Sequence, residues 1–285
     1  LLLSHLTIIF FSAVALYFLA REASRHVKVV LSGEGADEFF GGYNIYRAPF
    51  ALRWFTRLPR FVRAALLLIV RAPIRMRGFN YLRRARTPLS ERYIGNAHVF
   101  SYDEARTLWR GSAPARKNLE EIYARTKQYS DPTAMQFVDI HTWLPGDILA
   151  KADKMTMAHS LELRVPFLDK EVAAFAREIP DRLKFAKGST KYLFRRAAEM
   201  FVPKEASVRK KLGFPVPLAR WLREYPAWKD TLVRNAFLAS LFDIKKISAL
   251  AEEHLSGKRD NARKLFIFIM LAAWHDAYFG TRTQK

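Results

Sequence analysis

Residues 29–47 read Val29-Val30-Leu31-Ser32-Gly33-Glu34-Gly35-Ala36-Asp37-Glu38-Phe39-Phe40-Gly41-Gly42-Tyr43-Asn44-Ile45-Tyr46-Arg47. The apolar run Val29-Val30-Leu31 has the composition of a buried parallel strand. It gives way at once to Ser32–Glu38, where three carboxylates and two glycines share seven residues. Glycine at a strand end lets the backbone turn sharply and approach a ligand closely. In open parallel sheets the ligand crevice lies at the carboxyl ends of the strands. Carboxylates there suit a magnesium ion and a proton acceptor. An acidic surface loop after a strand is the plainer alternative, and this stretch alone leaves both open.

Three further stretches decide between them. Trp143 to Asp169 reads WLPGDILAKADKMTMAHSLELRVPFLD, Thr190-Lys191-Tyr192-Leu193 follows, and Arg209-Lys210-Lys211-Leu212-Gly213-Phe214-Pro215-Val216-Pro217 comes third. Together with residues 29–47, and in this order, they resemble the synthetase domain of glutamine-dependent asparagine synthetases. The resemblance runs from about Ser12 to Tyr278. It implies an α/β fold, mostly helical as present, forming the C-terminal part of an adenine-nucleotide alpha-hydrolase-like (PP-loop ATP pyrophosphatase) domain. Residues 12–285 are then one incomplete domain, and 1–11 an apolar start that does not match.

Composition sets the outer bounds. The 285 residues carry a net charge of +21 and are 50% hydrophobic, enough for one large core or two small ones. There is no cysteine, which removes disulfides and thiolate metal sites and fits a cytoplasmic setting. Between Arg53 and Arg86 stand ten arginines and no acid. A nucleic-acid surface and an anionic membrane surface are two readings of that run. A pair of amphipathic helices broken at Pro59 and Pro73, with arginines facing water, is the simpler one. The expectation is therefore no nucleic-acid and no membrane partner. Leu1 to Ala20 is long enough to span a bilayer, but Ala13 to Arg25 resembles the helix that precedes the strand in the family. Leu1 to Phe11 is expected to be an artificial or frameshifted start.

Along the rest of the chain, Thr87 or Ser90 is expected to cap one helix and Ser101 another that runs through Trp109. Ser130-Asp131-Pro132 opens a longer helix with apolar positions Met135, Phe137, Val138 and Ile140. Pro145-Gly146 is expected to break it, with a new helix over Asp147 to Ser160. Lys151 and Lys154, three residues apart, point broadly the same way and would suit phosphate or carboxylate groups in one cavity. His159 has no partner at metal-ligand spacing and reads as a hydrogen-bonded core residue. Asp169 caps a helix over Glu171 to Glu178, and Leu163 to Leu168 threads past the site. Gly188-Ser189-Thr190-Lys191 precedes a helix whose positive end would favour anions. Residues 209–217 form a basic wall, and Leu265 to Tyr278 a buried helix ended by Gly280.

What the resemblance implies chemically is a two-step ligation. ATP adenylates the side-chain carboxylate of aspartate with loss of pyrophosphate, and ammonia, derived from glutamine in the full-length family, displaces AMP. On that pattern Ser32 and Gly33 contact the adenylate, and Glu34 supports the intermediate or takes a proton from ammonia. Asp37 holds magnesium, and Lys191 neutralises phosphate charge. ATP and magnesium are the implied cofactors, and a homodimer is allowed. The family's Ser-Gly-Gly-x-Asp-Ser pyrophosphate loop does not occur in the sequence, so these residues alone are expected to be inactive. Two other readings stand beside this one: a related ligase such as a β-lactam synthetase, disfavoured by Glu34 where those enzymes tend to have tyrosine, and a non-enzymatic basic binding module.

Overall fold

The computed structural model describes residues 12–51, 58–59, 61–62, 87–96, 98–111, 117–209 and 216–280. The apolar start at Leu1 to Phe11, most of the arginine-rich run from Arg53 to Arg86, and most of the basic stretch 209–217 lie outside the described residues.

The chain is mostly helical, with one parallel β-pair. Helix α1 (Ser12–Ala23) leads into β1 (Val29–Leu31), followed by the short α2 (Ala36–Phe40). Next come α3 (Tyr102–Leu108), α4 (Lys117–Ala124) and α5 (Asp131–His141). Helix α6 (Ala150–Met157) runs into β2 (Glu162–Arg164). After α7 (Lys170–Glu178) and α8 (Tyr192–Ala198) the chain ends in a helical region. That region comprises α9 (Leu218–Glu224), α10 (Trp228–Arg234), α11 (Ala236–Leu241), α12 (Ile244–Leu255) and α13 (Ala262–Phe279).

Two strand expectations change. The sequence showed one strand; the structure pairs it with a second, in register Val29 with Glu162, Val30 with Leu163 and Leu31 with Arg164. Polar ends hid β2, since Glu162 and Arg164 are exposed and pair with each other at 2.8 Å. Nor is β1 buried: Val29 is 39% and Leu31 74% exposed. Its apolar character has no covering layer among the described residues.

Local signals fare better where a side chain closes a helix end. Ser101 and Glu104 form a reciprocal capping box. Ser130 Oγ accepts from Thr133 N at 3.3 Å, and Asp169 Oδ1 from Glu171 N at 2.8 Å. Neither Thr87 nor Ser90 caps; the turn Leu89–Arg92 starts behind Pro88, with no side-chain cap. Pro145-Gly146 does not break the helical path either. Leu144–Leu149 forms a π-helical turn that feeds α6, with Pro145 in its first turn, where the missing N–H costs nothing.

The C-terminal core is built around α13, where Phe268 and Leu271 are buried with Leu232, Leu238 and Ile247, and Leu265 and Phe266 with Leu218, Leu222 and Ala251. The far end of that helix is not buried, since Tyr278 is exposed. The core that supports the site is centred on α5. Asp139, fully buried, accepts from the hydroxyls of Tyr46 and Tyr93 at 2.5 Å each. It also accepts from Asn96 N at 2.9 Å and Asn96 Nδ2 at 2.7 Å. Gln136 Nε2 reaches across to the carbonyls of Glu38 and Phe39 at 2.5 and 3.0 Å. It thereby satisfies two orphan acceptors at the end of α2 and fixes that helix in place.

Four donors converging on one buried carboxylate make Asp139 an expensive residue to remove. Asp139→Ala is expected to destabilise the fold by about 3 kcal/mol or more, because the donors are left buried without an acceptor. Urea unfolding followed by circular dichroism measures this, and an unchanged midpoint would show that the network is dispensable.

Candidate active site

The loop after β1 is anchored on both sides. Ser32 N donates to Arg164 O at 2.9 Å, extending the ladder by one bond beyond the strand. Gly35 has φ +86, and a Cβ there would lie 2.2 Å from Leu168 Cδ2, so glycine is required for both conformation and space. The loop thus sits against residues 166–168, which joins the two longest signature stretches in space.

Side chains of α2 then diverge. Asp37 reaches Lys191, Nζ to Oδ1 at 2.7 Å, both partly buried. Glu38, the next residue, turns inward, is almost wholly buried and accepts from Tyr43 Oη at 2.6 Å. The Tyr43 oxygen in turn accepts from Trp143 Nε1 at 3.2 Å. Burial pushes Glu38 up to about 7. Of the three carboxylates in the stretch, this one serves the core.

Glu34 faces the remaining charges. Its carboxyl is raised, first by burial, with Asp37 adding to the rise; the Lys151 ammonium and the Ser32 hydroxyl oppose it. Asp147 is pushed up to about 6, mainly by burial, and Glu34 contributes; Lys151 again opposes. Lys151 is buried, with Nζ 3.5 Å from Asp147 Oδ2 and 3.3 Å from Ser12 Oγ of α1. One buried ammonium therefore balances two carboxylates. Glu34 thus has a raised affinity for protons, as a proton acceptor needs.

The structure brings Ser32, Glu34, Asp37 and Lys191 into one neighbourhood, with Gly33 exposed at its rim. It does not place Lys154 with Lys151: Lys154 is exposed and Lys151 buried, because three residues rotate the helix 60° short of a full turn. His159 stacks at a tilt against Tyr17, ring centres 4.4 Å apart, and its Nε2 has no hydrogen-bond partner. Asp147 was not among the expected site residues. Its four-residue offset from Lys151 was the available signal, obscured by the expected break at Pro145. Lys191 is not in the first turn of α8 but precedes it, in a left-handed conformation with φ +52.

No group of three or more Asp, Glu, His or Cys side chains gathers as metal ligands among the described residues. Asp37 is one carboxylate at the rim of the site, which suits magnesium, an ion commonly held by one or two carboxylates together with substrate phosphates.

Such a site, with carboxylate and ammonium groups at the end of a parallel β-pair and framed by helices, belongs to a mostly helical α/β protein. The asparagine synthase family model matches residues 6–276. The chain is 47% identical over 269 residues to the glutamine-hydrolyzing asparagine synthetase 1 of Bacillus subtilis strain 168, covering 93% of this chain and 43% of that protein. A putative asparagine synthetase of Mycobacterium bovis is 45% identical over 268 residues, 92% of this chain and 41% of the relative. An amidase of Penicillium rubens is more distant, 24% identical over 221 residues, 68% of this chain and 33% of the relative. The chain belongs to the asparagine synthase family, a family of ligases. It spans about two-fifths of the length of the synthetases it matches. No helix among the described residues is long and apolar enough to cross a membrane.

Two outcomes test this geometry. Between about pH 4.5 and 7 the folded protein holds a proton on Glu38 that the unfolded chain has released, so stability falls as pH rises through that window. Glu38→Gln should flatten the fall and gain about 2–3 kcal/mol at pH 7.5. Urea midpoints at pH 5 and 7.5 read it, and an unchanged slope would contradict the assignment. Separately, a Cβ at Gly42 would lie 1.7 Å from Asp37 Oδ1, whereas one at Gly146 meets nothing within 4 Å. Gly42→Ala is expected to cost about 2 kcal/mol or more and Gly146→Ala to be neutral or mildly stabilising. Equal melting temperatures for the two variants would rule this out.

Proposed function

We propose that this chain carries the amide-forming site of an asparagine synthetase, in a domain of the adenine-nucleotide alpha-hydrolase-like (PP-loop) type. The observation that carries the proposal is Glu34, a proton acceptor raised by burial and placed beside Lys151 at the carboxyl end of β1. Family membership supplies the reaction. The exposed Leu31 and Val29, with Phe18 and Leu19 of α1, support a sheet that continues beyond β1.

In the proposed sequence an oxygen of the aspartate side-chain carboxylate attacks the α-phosphorus of ATP, and pyrophosphate leaves as the bridging P–O bond breaks. Ammonia then adds to the activated carbonyl carbon and loses a proton to Glu34, and the C–O bond to AMP breaks. Ser32 and Gly33 line the adenylate. Lys191 leaves Asp37 to face the departing phosphate charge, a role worth several kcal/mol in such sites. Asp37 would hold magnesium, which neutralises phosphate oxygens when bound. Lys151 opposes the rise that burial imposes on Glu34, and Asp147 holds Lys151. Aspartate and ammonia are the proposed substrates, with ammonia drawn from glutamine in the longer protein.

The test needs a protein in which these residues are joined to the rest of the length seen in the relatives. There, Glu34→Gln is expected to reduce asparagine formation by about 10²-fold or more, the scale of general-base catalysis, while glutamine hydrolysis continues. Wild-type rates of asparagine formation in that variant would refute the role of Glu34. Asparagine-free turnover with another carboxylate substrate would instead point to a related amidating ligase.

A further inference from the structure

Behind the Lys191 loop lies a cavity of about 580 Å³ that the proposed reaction does not use. Its wall carries Arg47, Lys187, Arg195, Arg196 and Arg209 against one acid, Glu199. Two of these cations are already engaged. Arg195 spends Nε on the carbonyl of Thr190 at 3.0 Å and Nη1 on those of Ser207 and Arg209 at 2.7 and 2.9 Å. Arg196 is paired with Glu199. Arg47, Lys187 and Arg209 have no acid within ion-pair distance among the described residues.

Holding like charges around one hollow has a cost that the fold accepts. Lys187 has φ +49 and Gly188 φ +73, so two consecutive residues are left-handed. For a lysine that conformation is strained. Non-glycine residues kept in it tend to be part of a binding or switching device. The turn is closed by Ser189 N donating to Ala186 O at 2.8 Å, and it sets Lys187 on the same wall as Arg47, which half-buries itself on the segment after residues 29–42. Asn44, Ser189 and Thr190 add neutral polar groups to the lining.

We infer that this cavity is a second anion site, taking a compact phosphate anion such as pyrophosphate or orthophosphate. Phosphate suits it better than carboxylate. The guanidinium groups and the one ammonium in its lining suit an ion that presents several oxygens, whereas a carboxylate occupies one fork. The site is separate from the catalytic lysine. Lys191 points to Asp37 and lines a neighbouring cavity of about 590 Å³, which shares Arg195, Ser207 and Arg209 with this one. The inference concerns binding only and does not depend on the ligase reading.

Calorimetric titration of the 285-residue chain with pyrophosphate, orthophosphate and aspartate, at constant ionic strength, tests it. Wild type should bind pyrophosphate and orthophosphate in preference to aspartate. The double variant Arg47→Gln, Lys187→Gln should bind pyrophosphate about tenfold or more weakly, a larger loss than Lys191→Ala produces. Lys187→Gln alone, at a surface loop, should weaken binding in the same direction, and circular dichroism checks that each variant is folded. The inference is overturned if wild type binds neither phosphate anion, or if aspartate binds equally well. It is also overturned if Lys191→Ala abolishes binding while the double variant keeps it, since the anion would then sit at the catalytic lysine.

Discussion

Three residues of parallel pairing, Val29–Leu31 against Glu162–Arg164, hold together two stretches about 130 positions apart in the chain. The ladder continues outward at both ends, through Glu162 N to Lys28 O and Ser32 N to Arg164 O, each 2.9 Å. Those bonds matter more than their number implies. Non-local pairing is costly in chain entropy, and here side-chain packing on one face has to hold it. Leu163 and the residues after β2 supply that packing: Phe167 stands edge-on to Phe40 and Phe194, and Leu168 fills the space that Gly35 leaves open. The carboxylate loop is therefore positioned by β2 and its exit, while α5 locks α2 from the other side through Gln136.

How much of this the sequence revealed depends on the range over which each signal acts. Caps at Ser101, Ser130 and Asp169 were legible because a short polar side chain bonds a backbone N–H two or three residues away. Family-like motifs located Glu34, Asp37 and Lys191 near one another. The rest depended on partners far along the chain. β2 has the sequence Glu-Leu-Arg, too short and too polar to read as a strand, and it is one only because β1 lies beside it. Pro145 reads as a helix breaker, yet the turn around it widens to π form and lets α6 start with Asp147 and Lys151 on its inner face. Glu38 was indistinguishable by type from Glu34 and Asp37. Its burial follows from the 100° rotation between neighbours on α2, which turns Asp37 toward solvent and Lys191, and Glu38 toward Tyr43.

Electrostatics then separates the roles of chemically similar groups. Glu38 and Asp139 are buried among hydroxyl and amide donors and stabilise packing. Half-buried Glu34 and buried Asp147 face one ammonium, Lys151, which opposes the rise that burial imposes on both. Asp37 and Lys191 are partly exposed, and such a pair contributes little to stability. The gradient from closed network to partly exposed pair runs along α2 itself, from Glu38 to Asp37.

That gradient also bears on why Lys191 occupies a left-handed residue at the mouth of α8. From a left-handed backbone with φ +52, its ammonium reaches Asp37 Oδ1 at 2.7 Å while lying 5.9 Å from the ring centre of Phe194. The strain of one such residue, about 1–2 kcal/mol, exceeds what a partly exposed ion pair returns, roughly 0–1 kcal/mol. On the proposed function a phosphate oxygen would be a stronger, charge-assisted partner than Asp37 and would offset the remainder.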